Sequence, residues 1–224
     1  MSRPKDAITR YRAVSRLNHW LTGLCFVLLM LSGLAMFHPY FFFLSDLFGG
    51  GQWMRAIHPW IGVTLIVSFA GLFFQLWHHN LWEKRDTEWV KNIDKLLANK
   101  EDEMPEVGRN NAGQKGVFWG MALLVPVLFL SGLVIWEIYF GHATTIPVQR
   151  AALLIHSAAA IGAILIWIVH VYAALWVKGS MRAMWRGWVT PGWAWKHHRK
   201  WFHELIETGS SGPDPKQKTG NHAP

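Results

Sequence analysis

The chain has a single cysteine, Cys25, and its four longest apolar stretches contain no Asp, Glu, Lys or Arg. One thiol excludes an intrachain disulfide, a four-cysteine iron–sulfur site and the C-x-x-C-H attachment of covalently bound haem. Cys25 lies inside an apolar stretch and reads as packing. The missing carboxylates argue against a proton relay through those stretches. Together with the lack of internal repeats, they also argue against a transporter or channel gated by histidines. No nucleic-acid-binding module accompanies the net charge of +8, so the excess of Lys and Arg needs another explanation.

What is present is hydrophobicity in blocks. Leu17–Phe37, Ala56–Trp82, Gly116–Trp136 and Ala151–Val177 are uncharged runs of 21 to 27 residues. About 20 apolar residues cross a hydrocarbon layer of roughly 30 Å. Four spans through a membrane follow, and a soluble fold does not. The first run is too long for the apolar core of a signal peptide and is followed by Phe37-His38-Pro39-Tyr40, not by a small-residue cleavage site, so it is expected to stay in the mature protein.

Lys and Arg then orient the spans. The N-terminal arm carries five, the segment from Glu83 to Lys115 seven and the tail from Lys178 eight, whereas the two remaining connections carry only Arg55 and Arg150. Positive loops stay inside, which puts both termini and the middle loop in the cytoplasm. Tryptophans mark both interfaces: Trp20, Trp77, Trp82, Trp119 and Trp176 towards the inner side, Trp53, Trp60 and Trp136 towards the outer. In the middle loop Trp89, Ile93, Leu96 and Leu97 recur at helical spacing, which predicts an amphipathic surface helix over about 88–98. The expected organisation is one all-α membrane domain, 1–207, a four-helix bundle in contact with lipid. A polar tail, 208–224, is expected to be disordered.

Twelve histidines remain to be sorted. His38, His78, His79, His142, His197, His198, His203 and His222 fall at span ends or in polar segments, where an imidazole is easily solvated. His19, His58, His156 and His170 fall just inside apolar spans, where an ionisable group is costly and is a functional candidate. Fourteen residues separate His156 from His170, a rise of about 21 Å and a net rotation of roughly 40°, so both face one side of span four. His58 opens span two from outside and shares the depth of His156. His19 opens span one from inside and shares the depth of His170. Two facing imidazole pairs, one near each surface, suit two b-type haems with both axial positions filled, an arrangement for electron transfer. A zinc or copper site would need three or four ligands at one depth. Gly23, Gly33, Gly62, Gly71, Gly162 and the run Ser157–Ala160 would let a porphyrin approach the backbone, although small residues also serve plain helix packing.

Several stretches now combine into a resemblance. Arg16-Leu17-Asn18-His19-Trp20, Ile57-His58-Pro59, His78-His79-Asn80, Asn111-Ala112-Gly113-Gln114-Lys115, Leu154-Ile155-His156, Trp176-Val177-Lys178-Gly179-Ser180 and Lys196-His197-His198-Arg199 span nearly the whole chain. It resembles the membrane cytochrome b (gamma) subunit of respiratory formate dehydrogenase. The resemblance implies the same pairing, His58 with His156 and His19 with His170, as ligands of two haem b. It implies an iron–sulfur beta subunit as electron donor, fed by a molybdenum or tungsten alpha subunit that oxidises formate, in a heterotrimer that could assemble further. It implies menaquinone reduction beside the inner haem, near Asn111, Gly113, Gln114 and His170, in the bacterial inner membrane. This chain would be the quinone-reducing subunit and not the formate-oxidising one. The cytochrome b subunits of membrane nickel–iron hydrogenases and related molybdoenzymes share a similar bundle and form the alternative. Independently of any family, Asn111 reads as a helix N-cap, Gly113 as a turn residue, and Lys115 could orient an entrance. The segment Thr208–Pro224 inherits no function.

Overall fold

A computed structural model describes residues 3–98, 100 and 103–209. In chain order they form β1 (Ile8–Thr9), α1 (Ala13–Phe37), a 3₁₀ helix (Pro39–Phe48), α2 (Gly51–Leu76), a 3₁₀ turn (Trp77–His79), α3 (Lys84–Lys91) and α4 (Ile93–Leu97). There follow α5 (Ala112–Ile135), α6 (Glu137–Phe140), α7 (Ile146–Trp176), α8 (Ser180–Arg186), β2 (Trp188–Val189), α9 (Pro191–His197) and α10 (Arg199–Glu207). Two compact units result. One comprises Leu17–Leu76 with Val117–His170, the other Met1–Arg16 with Trp77–Gly116 and Val171–Pro224.

Among the described residues four helices are long and apolar enough to cross a membrane: Ala13–Phe37, Gly51–His79, Ala112–Ile135 and Ile146–Trp176. Only 11% to 22% of the most apolar window of each is buried, and Leu17, Leu24, Val67, Leu123, Leu130 and Leu165 are among the exposed side chains. Helices apolar on every face with that much surface uncovered belong in lipid. Inside the first unit Cys25, Phe26, Leu65, Val125 and Ala163 form the core, with Trp167 stacked on Phe26 at 6.1 Å. Cys25 is packing, as the sequence indicates.

The helices start earlier than the apolar runs because turn chemistry, not hydropathy, sets their ends. Gly49 and Gly50 take φ of 80° and 99°, a left-handed bend open to glycine, and α2 starts at once at Gly51, ahead of Ala56. Pro147 lies in the first turn of α7, where its missing N–H costs nothing, so that helix begins at Ile146 and not Ala151. The surface helix expected over 88–98 is two helices. Asn92 breaks it, with its side-chain N–H₂ turned back to Glu88 O at 2.8 Å. Of the expected tail only Thr208 and Gly209 are described; residues 210–224 lie outside the described residues.

The second unit is richer than a solvated basic surface. The N-terminal arm pairs with the tail as an antiparallel ladder, Ile8 opposite Val189 and Thr9 opposite Trp188. Ile8, Ala183, Val189, Ala194, Trp201 and Leu205 pack beneath it. Arg10 is 1% exposed and sits over the rings of Trp201 and Trp193 at 4.7 and 5.3 Å. It donates to Arg109 O at 2.7 Å, and Arg109 donates back to Arg10 O at 2.7 Å. His198, grouped by sequence with the solvated histidines, is in fact buried here. Its Nδ1–H donates to Gly108 O at 2.8 Å, which leaves Nε2 to accept from Arg10 at 3.2 Å. Sequence position near a basic tail gave no sign of this, because the contacts come from Arg10 and Gly108, far away along the chain.

Burial, and after it the Arg10 cation, hold His198 well below its usual 6.5. A base depressed by folding is neutral in the folded chain, while its unfolded counterpart takes up a proton near pH 6.5. The stabilisation is therefore complete above pH 6.5. It is lost as pH falls below that value, at up to about 1.4 kcal/mol per pH unit. Limited proteolysis of the detergent-solubilised protein should show the tail helices becoming cleavable as pH drops from 7.5 towards 5. His198→Gln, which keeps a donor and an acceptor without a titrating proton, should flatten that dependence.

Candidate functional site

The four intramembrane histidines pair as the depth argument requires, all within the first unit. The rings of His58 and His156 have centroids 6.5 Å apart, and those of His19 and His170 6.1 Å. A metal–imidazole bond is about 2.0–2.1 Å, so two rings sharing one ion have centroids roughly 6 Å apart once ring radii are added. No group of three or more His, Cys, Asp or Glu gathers into a metal site among the described residues. Two protein nitrogens per ion, with the remaining positions left to a macrocycle, is the donor set of a bis-imidazole haem.

The tautomer agrees with that use. Ser32 Oγ donates its one proton to Leu28 O at 2.7 Å and lies 2.7 Å from His58 Nδ1. The hydroxyl must therefore accept from Nδ1–H, leaving His58 Nε2 as a bare lone pair. Ser131 repeats this, donating to Val127 O at 2.6 Å and accepting from His156 Nδ1–H at 3.0 Å. The glycine after each serine lies against the ring: a Cβ at Gly33 would be in ordinary contact with His58 Cε1, at 3.7 Å, and one at Gly132 with His156 Cε1, at 3.4 Å. Sequence reasoning missed Ser32, Ser131 and Gly132. Leu-Ser-Gly-Leu occurs twice, at Leu31–Leu34 and Leu130–Leu133, and each copy receives the histidine of the following span.

The His19/His170 pair is held differently. Asn18, next to His19, donates to Ser68 O at 2.9 Å and accepts from Ser68 Oγ at 2.7 Å. Thr22 Oγ1 lies 2.7 Å from Ser68 Oγ. These bonds fix the rotation of α1 against α2. They also need Gly71, where a Cβ would come within 2.9 Å of Asn18 Nδ2. His19 Nδ1 itself is buried with no hydrogen-bond partner among the described residues.

Asn111, Gly113 and Gln114 lie in the second unit, at the start of α5. Gln114 N donates to Asn111 Oδ1 at 2.8 Å and Asn111 N donates to Gln114 Oε1 at 3.0 Å, a reciprocal capping box. The two carbonyl oxygens are thus occupied, and the side-chain N–H₂ groups are what these residues can offer a ligand. Gly113 accommodates a ring, but that ring is Trp89, 3.4 Å from where a Cβ would sit. Lys115 does not line an entrance: it is 3% exposed and pairs with the equally buried Asp86 at 2.6 Å. Asn80, of the His78-His79-Asn80 stretch, is buried and accepts from Asn110 Nδ2 at 3.0 Å. The rings of His78 and His79 lie 3.9 Å apart in the 3₁₀ turn.

Four apolar spans carrying two facing imidazole pairs, one with its Nε2 atoms set free by serine, define a membrane cytochrome b. The chain belongs to the prokaryotic cytochrome b561 family, whose profile matches residues 10–187. Membership implies haem b. Among individual proteins it is 47% identical over 204 residues to the cytochrome b556(fdo) subunit of formate dehydrogenase from Escherichia coli strain K12, covering 91% of this chain and 96% of that one. It is 41% identical over 199 residues to the cytochrome b556 subunit of formate dehydrogenase from Haemophilus influenzae, covering 89% and 84%. It is 39% identical over 205 residues to the cytochrome b556(Fdn) subunit of the nitrate-inducible formate dehydrogenase of E. coli strain K12, covering 92% and 94%.

The Lys115–Asp86 pair yields a stability test. Lys115→Met leaves Asp86 buried without its cation and should cost roughly 3–5 kcal/mol, read as a lower Tm of the purified protein. Lys115→Met with Asp86→Leu, which removes both charges, should recover most of the loss.

Proposed function

We propose that this chain is the di-haem cytochrome b subunit of a formate dehydrogenase in the bacterial inner membrane. It takes electrons from an iron–sulfur subunit on the periplasmic side and delivers them to menaquinone near the cytoplasmic side. His58 and His156 hold the outer haem, His19 and His170 the inner one. Both termini and the basic middle loop are cytoplasmic. A separate molybdenum or tungsten subunit oxidises formate. The observation that carries the reading is the pair of imidazole pairs, at 6.5 and 6.1 Å, in apolar runs free of Asp, Glu, Lys and Arg. Formate is favoured over hydrogen as the ultimate donor because the three relatives described above are all formate dehydrogenase subunits.

Haem b, when bound, would supply a one-electron ferric–ferrous couple, and His58 with His156 and His19 with His170 would hold it. The protein supplies placement. Ser32 and Ser131 hold the Nδ1 protons of their histidines, so both Nε2 atoms point their lone pairs at a shared centre. Asn18 and Ser68 keep the helix bearing His19 from turning. The apolar walls exclude water from both pairs. Inward movement of each electron against the membrane potential costs about 2.3 kcal/mol per 100 mV for a full crossing, a cost that the redox drop from donor to quinone offsets. At the cytoplasmic start of α5 the amide N–H₂ groups of Asn111 and Gln114 donate to a quinone carbonyl, beside Gly113.

Haem analysis tests the ligands. Pyridine-haemochrome assay of the pure protein should give two haems per chain under this reading. His58→Ala or His156→Ala should remove one haem, and His19→Ala or His170→Ala the other. A single haem, or survival of both in His19→Ala, would refute the pairing. Reporter fusions after Lys100 and Lys200 should be cytoplasmic, and those after Phe43 and Thr144 periplasmic; a periplasmic Lys200 fusion reverses inner and outer.

The quinone contacts need substitutions that spare the cap. Asn111→Asp and Gln114→Glu keep the capping oxygens while deleting the N–H₂ donors. Each should weaken menaquinone use by about 3- to 10-fold, the worth of one neutral hydrogen bond, with both haem spectra intact. Unchanged quinone kinetics in the double variant would count against this site.

A further inference from the structure

The two imidazole pairs differ in what lies behind them. In the His58/His156 pair each Nδ1–H has an oxygen acceptor, Ser32 Oγ at 2.7 Å and Ser131 Oγ at 3.0 Å. In the other pair His19 Nδ1 is buried and meets no partner among the described residues. Acceptance of the Nδ1 proton pushes electron density into the ring and makes Nε2 a stronger donor to a metal. A stronger axial donor favours the ferric over the ferrous state and lowers the reduction potential, one of the protein's levers on a haem. We infer that Ser32 and Ser131 are positioning residues that set the potential of the outer haem below that of the inner one, building a downhill step for inward electron transfer into the chain itself. The inference rests on the ligation and topology proposed above.

In that step one electron leaves the outer iron, which passes from ferrous to ferric, and reaches the inner iron, which passes from ferric to ferrous. The Nδ1 protons stay on their imidazoles throughout. The iron–sulfur donor refills the outer site and the quinone empties the inner one.

The doubling of the device argues for a role beyond helix packing. A serine in an apolar helix commonly bonds back to a carbonyl of the preceding turn, and this accounts for where each hydroxyl proton goes. It does not account for a second bond, from an imidazole, at both copies of Leu-Ser-Gly-Leu.

Optical redox titration of the purified protein with its partner subunits tests the inference, each haem being assigned by its loss in His58→Ala or in His19→Ala. The His58-dependent haem should have the lower midpoint. Ser32→Ala and Ser131→Ala should each raise that midpoint, and the double variant raise it further, while the His19-dependent haem stays put. Ser32→Thr and Ser131→Thr, which keep the hydroxyl, should hold the wild-type value. An unchanged or lowered outer midpoint in a double variant that retains its haem overturns the inference. If the alanine variants shed the haem, the wild-type order decides: an outer midpoint above the inner one overturns the inference, and one below it supports it. Wild-type protein lacking any His58-dependent haem overturns the ligand reading instead, and the pyridine-haemochrome count tells the two failures apart.

Discussion

Inside a hydrocarbon layer no water is available to satisfy a polar atom, so each one carried into a span must find its partner in the protein. Two groups of polar side chains in the membrane unit do this as closed sets. Ser32 and Ser131 return their protons to their own helices and accept from His58 and His156. Asn18, Thr22 and Ser68 satisfy one another between α1 and α2. Satisfaction of these groups is also what orients the histidines, because each set ties a ring, or the residue beside one, to a helix backbone. His19 Nδ1 stands outside the rule, and it is here that the two pairs part company chemically.

The basic unit meets a related constraint with water nearby. Two of its cations are buried and not on the surface. Arg10 is buried against aromatic faces and the Arg109 carbonyl, with no ion pair to a carboxylate among the described residues, and Lys115 is buried with Asp86. A guanidinium tolerates this because it is weakly hydrated and stacks on indole, whereas an ammonium in the same place needs its counter-ion. Charge that on sequence grounds serves only to orient the chain in the membrane thus also builds a folded body, tying the N-terminal arm to the tail through the Ile8–Val189 ladder and the Arg10–His198 contact.

Much of this was legible in the chain and some was not, for physical reasons. Apolar runs and histidine depth are one-dimensional properties, so four spans and two imidazole pairs could be read from spacing alone. Helix ends depend on local turn chemistry: the Gly49–Gly50 bend and the Asn111–Gln114 box moved α2 and α5 earlier than hydropathy placed them. Asn111 was legible as a cap, and it is one. The burial of His198 and of Lys115 was not legible, since both depend on partners distant along the chain. Gly113, named beside the quinone on resemblance, lies against the ring of Trp89, a partner the sequence does not point to.

The serines were missed for a more instructive reason. A serine in a transmembrane helix is unremarkable singly, because its hydroxyl can always be satisfied by the carbonyl one turn back. Only the recurrence of Leu-Ser-Gly-Leu, in spans one and three and each time facing the histidine of the next span, separates it from background. That recurrence makes the helix pairs α1–α2 and α5–α7 quasi-equivalent at one end, each giving one imidazole and one acceptor to a single centre. The other end has no such repeat: its two imidazoles, His19 and His170, come from α1 and α7, and Asn18 bonds α1 to α2 beside His19. A symmetric pair of anchors behind one imidazole pair and none of that kind at His19 is the difference in basicity that the proposed directed transfer would use, obtained without placing a charge in the membrane.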